Sequence, residues 1–357
     1  MGVKNYEYEI SIIMPCHNSL PYIKSALDTV FRQTFKNFEL LLVDDGSIDG
    51  TFDYLKSVEL EKDNVSVFRN PVQGAGASRN IGLSYARGNF VIFLDSDDLF
   101  SPHLLEELHA SLLKYSSDIA VCEYESFISG TSNSSIVNSF NKLPFSIEPS
   151  AIDFKLMMLF DSAPWNKLIR RDLLVSNSIY FQNCKYANDL FAVYASIFSS
   201  SLISIVHKPL VRYRTGRSNS VQGKISKYPT EMLVPFRQLI LDYGKAKNWR
   251  SDLIFKTFLM CYRSNFNNMG SEAVSGELWD AIREDSALIN WLQDHKAKTR
   301  LWEDALFFCT EKMSFSDFLT KNQLTIKFFQ QILPQPLKKY ALLFSAVFHY
   351  LRLWKES

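Results

Sequence analysis

The sequence predicts an α/β fold with a mixed, mostly parallel sheet and flanking helices, followed by a mostly helical C-terminal region. Short apolar, β-branched runs alternate with segments of helical period over residues 8–122. These runs stay apolar throughout their middles, as strands covered on both faces do. Such alternation predicts parallel strands joined by crossover helices. From about residue 223 onward the pattern becomes mostly helical.

Five strands and four helices account for the alternation. The expected strands have the sequences YEISIIMP, FELLLVDD, VSVFRN, NFVIFLDS and DIAVCEY. The expected helices are PYIKSALDTVFRQT, DGTFDYLKSVE, GAGASRNIGLSYARG and SPHLLEELHASLLKY, which begin with Pro, Asp, Gly or Ser. Ligands of open parallel sheets bind beyond the carboxyl ends of the strands. The polar residues that follow each strand are therefore the first candidates for a site.

Length and composition set the domain count and exclude some classes of protein. The chain has 357 residues, 46% of them hydrophobic, which suits one large and one smaller domain. The 39 basic and 38 acidic residues nearly cancel, so no nucleic-acid-binding surface is indicated. The five cysteines are far apart and form no C-x-x-C pair, which argues against disulfides and structural zinc.

The two ends of the chain bear on its location. Residues 1–18 show no signal peptide, and no apolar run is long enough to span a bilayer, so we expect a cytoplasmic protein. Residues 321–357 are rich in basic and aromatic side chains. One interpretation is peripheral contact with the inner face of the cytoplasmic membrane. The other is a helix pair packed on the body, and both stay open.

Three carboxylates follow the fourth predicted strand, in the sequence FLDSDD, at Asp95, Asp97 and Asp98. Like charges this close repel, so a cation or a set of donors is expected among them. A D-x-D pair suits Mn²⁺ or Mg²⁺, whose coordination shell is completed by phosphate oxygens. A solvated turn is the simpler alternative. A calcium loop is excluded because Phe100 replaces the required glycine and Pro102 interrupts the loop.

Three further motifs accompany FLDSDD. MPCHN at 14–18 closes the first strand, VDDGS at 43–47 closes the second, and GAGASRN at 74–80 opens the third helix. In this order and spacing, the four motifs resemble the nucleotide-sugar-binding half of family 2 glycosyltransferases, which have the Rossmann-like GT-A fold. The resemblance is close over residues 9–125 and looser over 160–220.

The resemblance implies a domain division as well as a fold. Residues 1–222 would form a GT-A domain, with a donor-binding half at 1–125 and an acceptor half at 126–222. Residues 223–357 would form the helical C-terminal region. Polar residues 129–142 are expected to form a surface loop or lid.

In the donor half, the resemblance assigns Asp44 and Asp45 to the base and ribose. The base N–H and the ribose hydroxyl groups can donate hydrogen bonds to these carboxylates. The alternative is an ordinary turn in which Asp49 caps the next helix. Arg79 would offer its fork to the base or diphosphate, with the preceding glycines bringing a helix N-terminus close to the donor. A surface arginine is the alternative. The implied donor-binding residues are Pro15, Asn18, Asp44, Asp45, Arg79, Asp95, Ser96 and Asp97, with Asp97 and Asp95 as the metal ligands.

In the acceptor half, WNKL matches a segment of bacterial family members, and its Trp165 is either a platform for a sugar ring or a core residue. Asn188 and Asp189 stand where the family usually has Glu-Asp. Asp189 is thus the implied catalytic base, and a helix N-cap is the alternative. A basic cluster at 207–217, which includes Arg214 and Arg217, would form a lid over the diphosphate or a solvated strand edge.

These assignments predict a metal-dependent, inverting glycosyltransferase. It would move a hexosyl or N-acetylhexosaminyl group from a nucleotide sugar, expected to be a UDP-sugar, to a saccharide or lipid-linked saccharide in cell-surface polysaccharide or lipooligosaccharide synthesis. A nucleotidyltransferase is one alternative, although no N-terminal glycine-rich triphosphate loop is present. A saccharide-binding module without turnover is the other, because Asn188 departs from the family pattern.

Overall fold

The computed structural model divides into two compact units, residues 1–220 and 221–357. The structure describes residues 7–129, 134–138, 140, 143–216, 227–245, 248–268, 277–278, 280–282 and 284–295. Within this part of the chain, no helix combines the length and apolar character needed to cross a bilayer. Residues 321–357 lie outside it, and the two interpretations of that segment remain predictions.

The first unit contains a mixed, mostly parallel sheet. Its strands are β1 Tyr8–Cys16, β2 Phe38–Asp44, β3 Val65–Arg69, β4 Gly88–Phe93, β5 Leu99–Phe100, β6 Ile119–Ile128, β7 Ser134–Asn138, β8 Ser146–Ile147, β9 Lys167–Arg170 and β10 Ile203–Thr215. Their order is β3-β2-β1-β4-β9-β6-β10-β5, with β7 beside β6 and β8 beside β10. Strands β1 to β4 pair in parallel, as do β6 and β10, whereas β9 runs antiparallel to both of its neighbours.

Helices flank this sheet and continue in the second unit. In the first unit they are α1 Leu20–Phe31, α2 Thr51–Glu61, α3 Ala75–Tyr85, α4 Leu104–Tyr115, α5 Phe154–Phe160, α6 Arg171–Ser176 and α7 Leu190–Ser199. The described part of the second unit contains α8 Leu233–Tyr243, α9 Trp249–Asn268 and α10 Ser286–His295. The five predicted strands are β1 to β4 and β6, and the four predicted helices are α1 to α4. The predicted fold class is confirmed.

Apolar packing on both faces fixes the register of the central strands. All seven residues of β2 are buried, and Ile12 of β1 and Ile92 of β4 are fully buried beside them. Each buried Leu, Ile, Val or Phe side chain contributes about 1.5–3 kcal/mol relative to exposure. Helix α3 lies close to β1, because a Cβ at Gly82 would stand only 2.4 Å from Ile13 Cγ2. In this register Cys16 pairs with Asp44, so the ends of β1 and β2 coincide.

One segment differs from the sequence prediction, and one strand was not predicted. Residues 134–138, expected within a surface loop or lid, form strand β7 on the edge of β6. The β-branched Ile136 and Val137 suit this position, although their polar neighbours hide the strand signal. Residues Lys167–Arg170, which begin within the WNKL segment, form β9 and insert between β4 and β6. A strand this short leaves no periodicity to detect.

A buried cation holds the turn that enters β9. Lys167 is almost fully buried, and its ammonium donates to the carbonyl oxygens of Phe160 at 2.6 Å and Ala163 at 2.7 Å. It also donates to Asn166 Oδ1 at 2.9 Å and lies 3.5 Å from Asp161 Oδ1. Burial lowers the Lys167 pKa, and the Asp161 charge opposes this effect. The lysine thus joins the end of α5 to the start of β9.

Replacing Lys167 should destabilise the first unit. We expect Lys167→Met to lower the free energy of unfolding by about 3–5 kcal/mol, because Asp161 and the loop carbonyls lose a buried charged partner. Lys208→Met is the matched control, since the exposed Lys208 pairs with Glu107 at the surface. It should cost no more than about 1 kcal/mol. Urea unfolding of both variants measures the difference, and equal losses would contradict the assignment.

Candidate active site

Carboxylates from β2 and from the turn after β4 surround the end of β1. The Cys16 thiol is fully buried, and its pKa is raised by burial and then by the negative charges of Asp44, Asp95 and Asp97. The Ser96 side chain opposes this rise in the Cys16 pKa. The structure therefore brings together the motifs that the sequence places at the ends of three different strands.

Asn18 ties the end of β1 to the turn after β2. It adopts a left-handed conformation with φ of 45°, and its N–H donates to Ser47 Oγ at 3.0 Å. The Ile48 N–H donates in turn to Asn18 Oδ1 at 2.9 Å. The fully buried Asp44 accepts from the Ser47 N–H at 3.3 Å, and Pro15 is half-buried in β1. The two loops at this edge therefore form one connected unit.

Asp45 binds to the start of α3 rather than pointing away from the protein. Its Oδ1 accepts from Asn70 Nδ2 at 2.7 Å, the Gly74 N–H at 2.8 Å and Ser78 Oγ at 3.1 Å. A carboxylate near the N-terminus of a helix is also favoured by the helix dipole. Within the protein, Asp45 thus holds the loop before α3 and the first turn of that helix together.

The glycines of GAGASRN make room for the protein's own backbone. A Cβ at Gly76 would lie 2.2 Å from the Gln182 carbonyl oxygen, and one at Gly74 would lie 2.1 Å from Asn183 Oδ1. Asn80 adds two hydrogen bonds to the Phe181 backbone, at 2.7 and 2.8 Å. These glycines therefore allow close packing of α3 against residues 181–183, and the approach of the helix N-terminus to a donor stays a prediction.

Arg79 connects two parts of the site. One is the carboxylate edge, formed by Asp44, Asp95 and Asp97 at the carboxyl ends of β2 and β4, and the other is the segment before α7. Its guanidinium is buried, with the residue only 5% exposed. Nη2 donates to Asp95 Oδ1 at 2.7 Å, and Nη1 donates to Asn188 Oδ1 at 2.8 Å. The guanidinium also lies over the Phe181 ring, 5.3 Å from its centroid. The fork expected to meet the donor therefore binds Asp95 and Asn188 in this structure.

Asp189 is a half-buried carboxylate close to this bridge. Burial raises its pKa to about 6; the Arg79 charge opposes the shift, and the charges of Asp95 and Asp161 add to it. Asp189 occupies the position before α7, yet its side chain makes no capping hydrogen bond. The observed contacts thus give the N-cap alternative no support. A carboxyl group that titrates near neutral pH is suited to accept a proton.

Trp165 lies in the core. It is 6% exposed, packs edge-on against Tyr124 with ring centroids 4.5 Å apart, and stacks on Tyr213 at 5.4 Å. Tyr124 also donates from its hydroxyl to Asp161 Oδ2 at 3.0 Å. This burial favours the core interpretation of Trp165. The neighbouring Asp161 adopts a left-handed conformation with φ of 36°, and it belongs to no motif that the sequence reveals.

Arg214 fastens the D-S-D-D turn. It is buried in β10, its N–H donates to Asp98 Oδ1 at 2.7 Å, and its Nε donates to the Asp97 carbonyl oxygen at 2.6 Å. Its guanidinium also contacts Ser129 Oγ. These contacts hold Arg214 within the sheet, and a lid over the diphosphate stays a prediction for the basic cluster. Arg217 lies outside the described residues.

The first half of the chain resembles a family of known proteins. Residues 11–176 match the family described as glycosyl transferase family 2. The match covers 166 of the 357 residues. The matched range contains the carboxylates at the ends of β2 and β4 and the start of α3. Asp189 lies beyond it.

Relatives and solved structures agree with the family and the fold. The putative glycosyltransferase EpsH of Bacillus subtilis is 28% identical over 71% of this chain and 75% of its own length. The Escherichia coli glucosyltransferase WfgD, whose name is UDP-Glc:alpha-D-GlcNAc-diphosphoundecaprenol beta-1,3-glucosyltransferase, is 29% identical over 62% of this chain and 83% of its own length.

Staphylococcus aureus TarS has the same fold, with a TM-score of 0.69 and 20% identity. The match covers 85% of this chain and 52% of TarS, so the chain spans about half of TarS. A structure of TarS 1–349 contains UDP-GlcNAc, with a TM-score of 0.60 and 20% identity, covering 98% of this chain and 92% of that one.

Sequence reasoning missed several residues of the site. Asn70 and Phe181, which hold Asp45 and Arg79, follow strand or loop sequences without a recognisable motif. Asp161 is equally unmarked. Lys167 was visible in the WNKL segment, where a lysine within an apolar strand is itself a signal of a buried, paired cation.

Replacing Gly76 should perturb the contact between α3 and residues 181–183. We expect Gly76→Ala to reduce the free energy of unfolding by about 1–3 kcal/mol, because backbone atoms must shift to admit the methyl group. Ser84→Ala, at an exposed position of the same helix, should change it by no more than about 0.5 kcal/mol. Denaturant unfolding compares the two variants. A Gly76→Ala protein as stable as the control would refute the close packing.

Proposed function

We propose that this glycosyltransferase moves a sugar from a UDP-sugar to a hydroxyl of a saccharide or lipid-linked saccharide. The observation that carries the proposal is the half-buried Asp189, whose pKa is about 6 and which Arg79 and Asn188 connect to the carboxylate edge. The names of two relatives support the substrate class: WfgD uses UDP-Glc, and TarS is a poly(ribitol-phosphate) beta-N-acetylglucosaminyltransferase. The TarS 1–349 complex with UDP-GlcNAc supports the donor class.

The proposed reaction is a single displacement at the anomeric carbon. Asp189 takes the proton of the acceptor hydroxyl as its oxygen forms a bond to this carbon. The bond from the anomeric carbon to the diphosphate breaks, and UDP leaves with the electron pair. Attack from the face opposite the leaving group inverts the configuration, so an α-linked donor yields a β-linked product. No covalent enzyme intermediate forms.

Asp97 and Asp95 are the residues that would hold Mn²⁺ or Mg²⁺. Among the described residues, no group of three or more His, Cys, Asp or Glu side chains could hold a metal by itself. Two carboxylates without a third protein ligand fit a cation whose shell is completed by diphosphate oxygens. When bound, such a cation supplies positive charge to the departing diphosphate. A solved mannosyltransferase from Pyrobaculum calidifontis contains GDP-Man and Mn²⁺, which supports divalent-metal use.

We assign the enzyme to cell-surface polysaccharide assembly at the cytoplasmic face of the membrane. Support comes from WfgD, whose named acceptor is linked to diphosphoundecaprenol. A lipid-linked acceptor requires that the enzyme work close to a bilayer. Peripheral attachment through residues 321–357 would meet this requirement.

Nucleotide release from a panel of nucleotide sugars tests the function without a known acceptor. The full chain is incubated with each donor, with and without Mn²⁺ or Mg²⁺, and slow hydrolysis is followed through the free nucleotide. We expect metal-dependent release from one UDP-sugar. Binding without release, even in the presence of saccharide acceptors, would favour a saccharide-binding module. Pyrophosphate release from a nucleoside triphosphate and a sugar phosphate would favour a nucleotidyltransferase.

Asp189→Asn should abolish turnover and stabilise the fold at alkaline pH. Wild-type kcat/KM should fall about tenfold per pH unit below the Asp189 pKa of about 6, because the base is then protonated. The folded-state pKa is raised from 3.8, so the stability that protonated Asp189 provides is lost as pH rises through about 6. At pH 8 the variant should therefore be about 3 kcal/mol more stable than wild type.

That stability difference should shrink as the pH falls from about 6 towards 4, since wild-type Asp189 becomes protonated. Activity assays and urea unfolding across this range measure both effects. Asp63→Asn, at an exposed turn position, should behave as wild type in each. Retained turnover in Asp189→Asn would remove this residue from the role of base.

Asp97→Asn should remove the metal dependence of donor binding. The amide keeps the shape of the side chain but loses the charge that a divalent cation requires. We expect UDP affinity measured by calorimetry to rise with Mn²⁺ for wild type and for Asp63→Asn. For Asp97→Asn it should be the same with and without Mn²⁺. An unchanged Mn²⁺ response would break the metal assignment.

A further inference from the structure

We propose that Arg79 is a positioning residue. It links Asp95, at the carboxylate edge, to Asn188 and thereby sets the position of Asp189. The inference rests on the proposed function of Asp189 as the base. It differs from the sequence expectation, in which the Arg79 fork binds the donor itself. In the proposed arrangement, Arg79 acts through the two protein groups that it joins.

The contacts of Arg79 support this role. Both terminal nitrogens are engaged, with Asp95 at 2.7 Å and Asn188 at 2.8 Å, and the residue is 5% exposed. A guanidinium presents its N–H groups in a fixed plane, so a fork that meets these two partners holds them at a set separation. The Asp95 side chain remains 28% exposed, so a ligand at the carboxylate edge can reach it.

The segment before Asp189 needs an anchor at this point. Ala187 is in the left-handed region with φ of 58°, a conformation that costs a non-glycine residue free energy and persists only when its surroundings hold it. The Gln182 N–H donates to the Asn188 carbonyl oxygen at 3.1 Å, which closes the loop. Arg79 binds the Asn188 side chain in addition. The residue next to Asp189 is therefore fixed through both its backbone and its side chain.

The two ends of this bridge must influence each other. Asp95 shares its charge with Arg79, and a cation or donor that engages Asp95 alters the strength of that ion pair. Coupling between two sites is reciprocal, so ordering of residues 181–189 and donor binding must favour or oppose each other by the same factor. We expect them to favour each other, since Arg79 holds Asp95 in place when it also holds Asn188.

Hydrogen–deuterium exchange of the full chain tests the coupling directly. Amides of residues 181–190 are followed with and without UDP and Mn²⁺. We expect UDP to slow their exchange in wild type. In Asn188→Leu, which keeps the side-chain shape but removes the acceptor oxygen, exchange should be at least about tenfold faster, the loss expected for a charge-assisted hydrogen bond. UDP should no longer slow it.

Two further variants separate positioning from general destabilisation. Asn188→Asp keeps an oxygen for Arg79 and should restore the slow exchange. Arg87→Lys is the matched control. Arg87 directly precedes β4, at the end of the strand opposite Asp95, and pairs with the buried Glu39 of β2. It should leave exchange at 181–190 and its response to UDP unchanged. Wild-type exchange in Asn188→Leu would overturn the proposal.

A kinetic comparison distinguishes positioning from donor binding. In Arg79→Lys, a single ammonium cannot hold both partners. We expect the kcat of nucleotide release to fall at least about tenfold while the Kd for UDP changes by no more than about threefold. A loss of UDP affinity as large as the loss of kcat would instead assign Arg79 to the donor. If wild type releases no nucleotide from any sugar nucleotide, the proposed function fails, and the exchange results still decide the coupling.

Discussion

The parallel register of β1, β2 and β4 is the constraint on which the site depends. Cys16 stands opposite Asp44, and β4 continues on the other side of β1 into the D-S-D-D turn. Side chains at the carboxyl ends of neighbouring parallel strands meet at one edge of the sheet. A slip of one residue would turn the carboxylates to the other face of the sheet. The apolar packing of the strands therefore fixes the chemistry at their ends.

Helix α3 carries this edge across to the other half of the unit. Asp45 holds its first turn, Gly76 lets Gln182 approach, and Arg79 reaches both Asp95 and Asn188. These contacts bring together residues that are far apart in the sequence. In this structure the GAGASRN motif allows close packing between the two halves of the first unit around a buried arginine.

The buried charges are tolerated because each has partners. Asp45 accepts from Asn70 and the start of α3, and Asp98 accepts from the Arg214 N–H. Lys167 is surrounded by oxygen atoms beside Asp161. An isolated buried charge is costly, whereas hydrogen-bonded charges in fixed positions form a rigid polar framework. Asp189 differs from these charged groups because burial raises its pKa to about 6. It can therefore exchange a proton near neutral pH.

The sequence by itself determined the α/β fold, the strands β1 to β4 and β6, and the strand-end motifs, because periodicity and turn residues are local properties of a chain. It also singled out Asp189 through its resemblance to a family. Only the tertiary structure decided the partners of these residues. The contacts of Arg79 with Asn188, the burial of Trp165 and the clamp of Arg214 on Asp98 join residues far apart in sequence. No local pattern records such contacts, since they arise when β9, β10 and residues 181–189 pack against the first four strands.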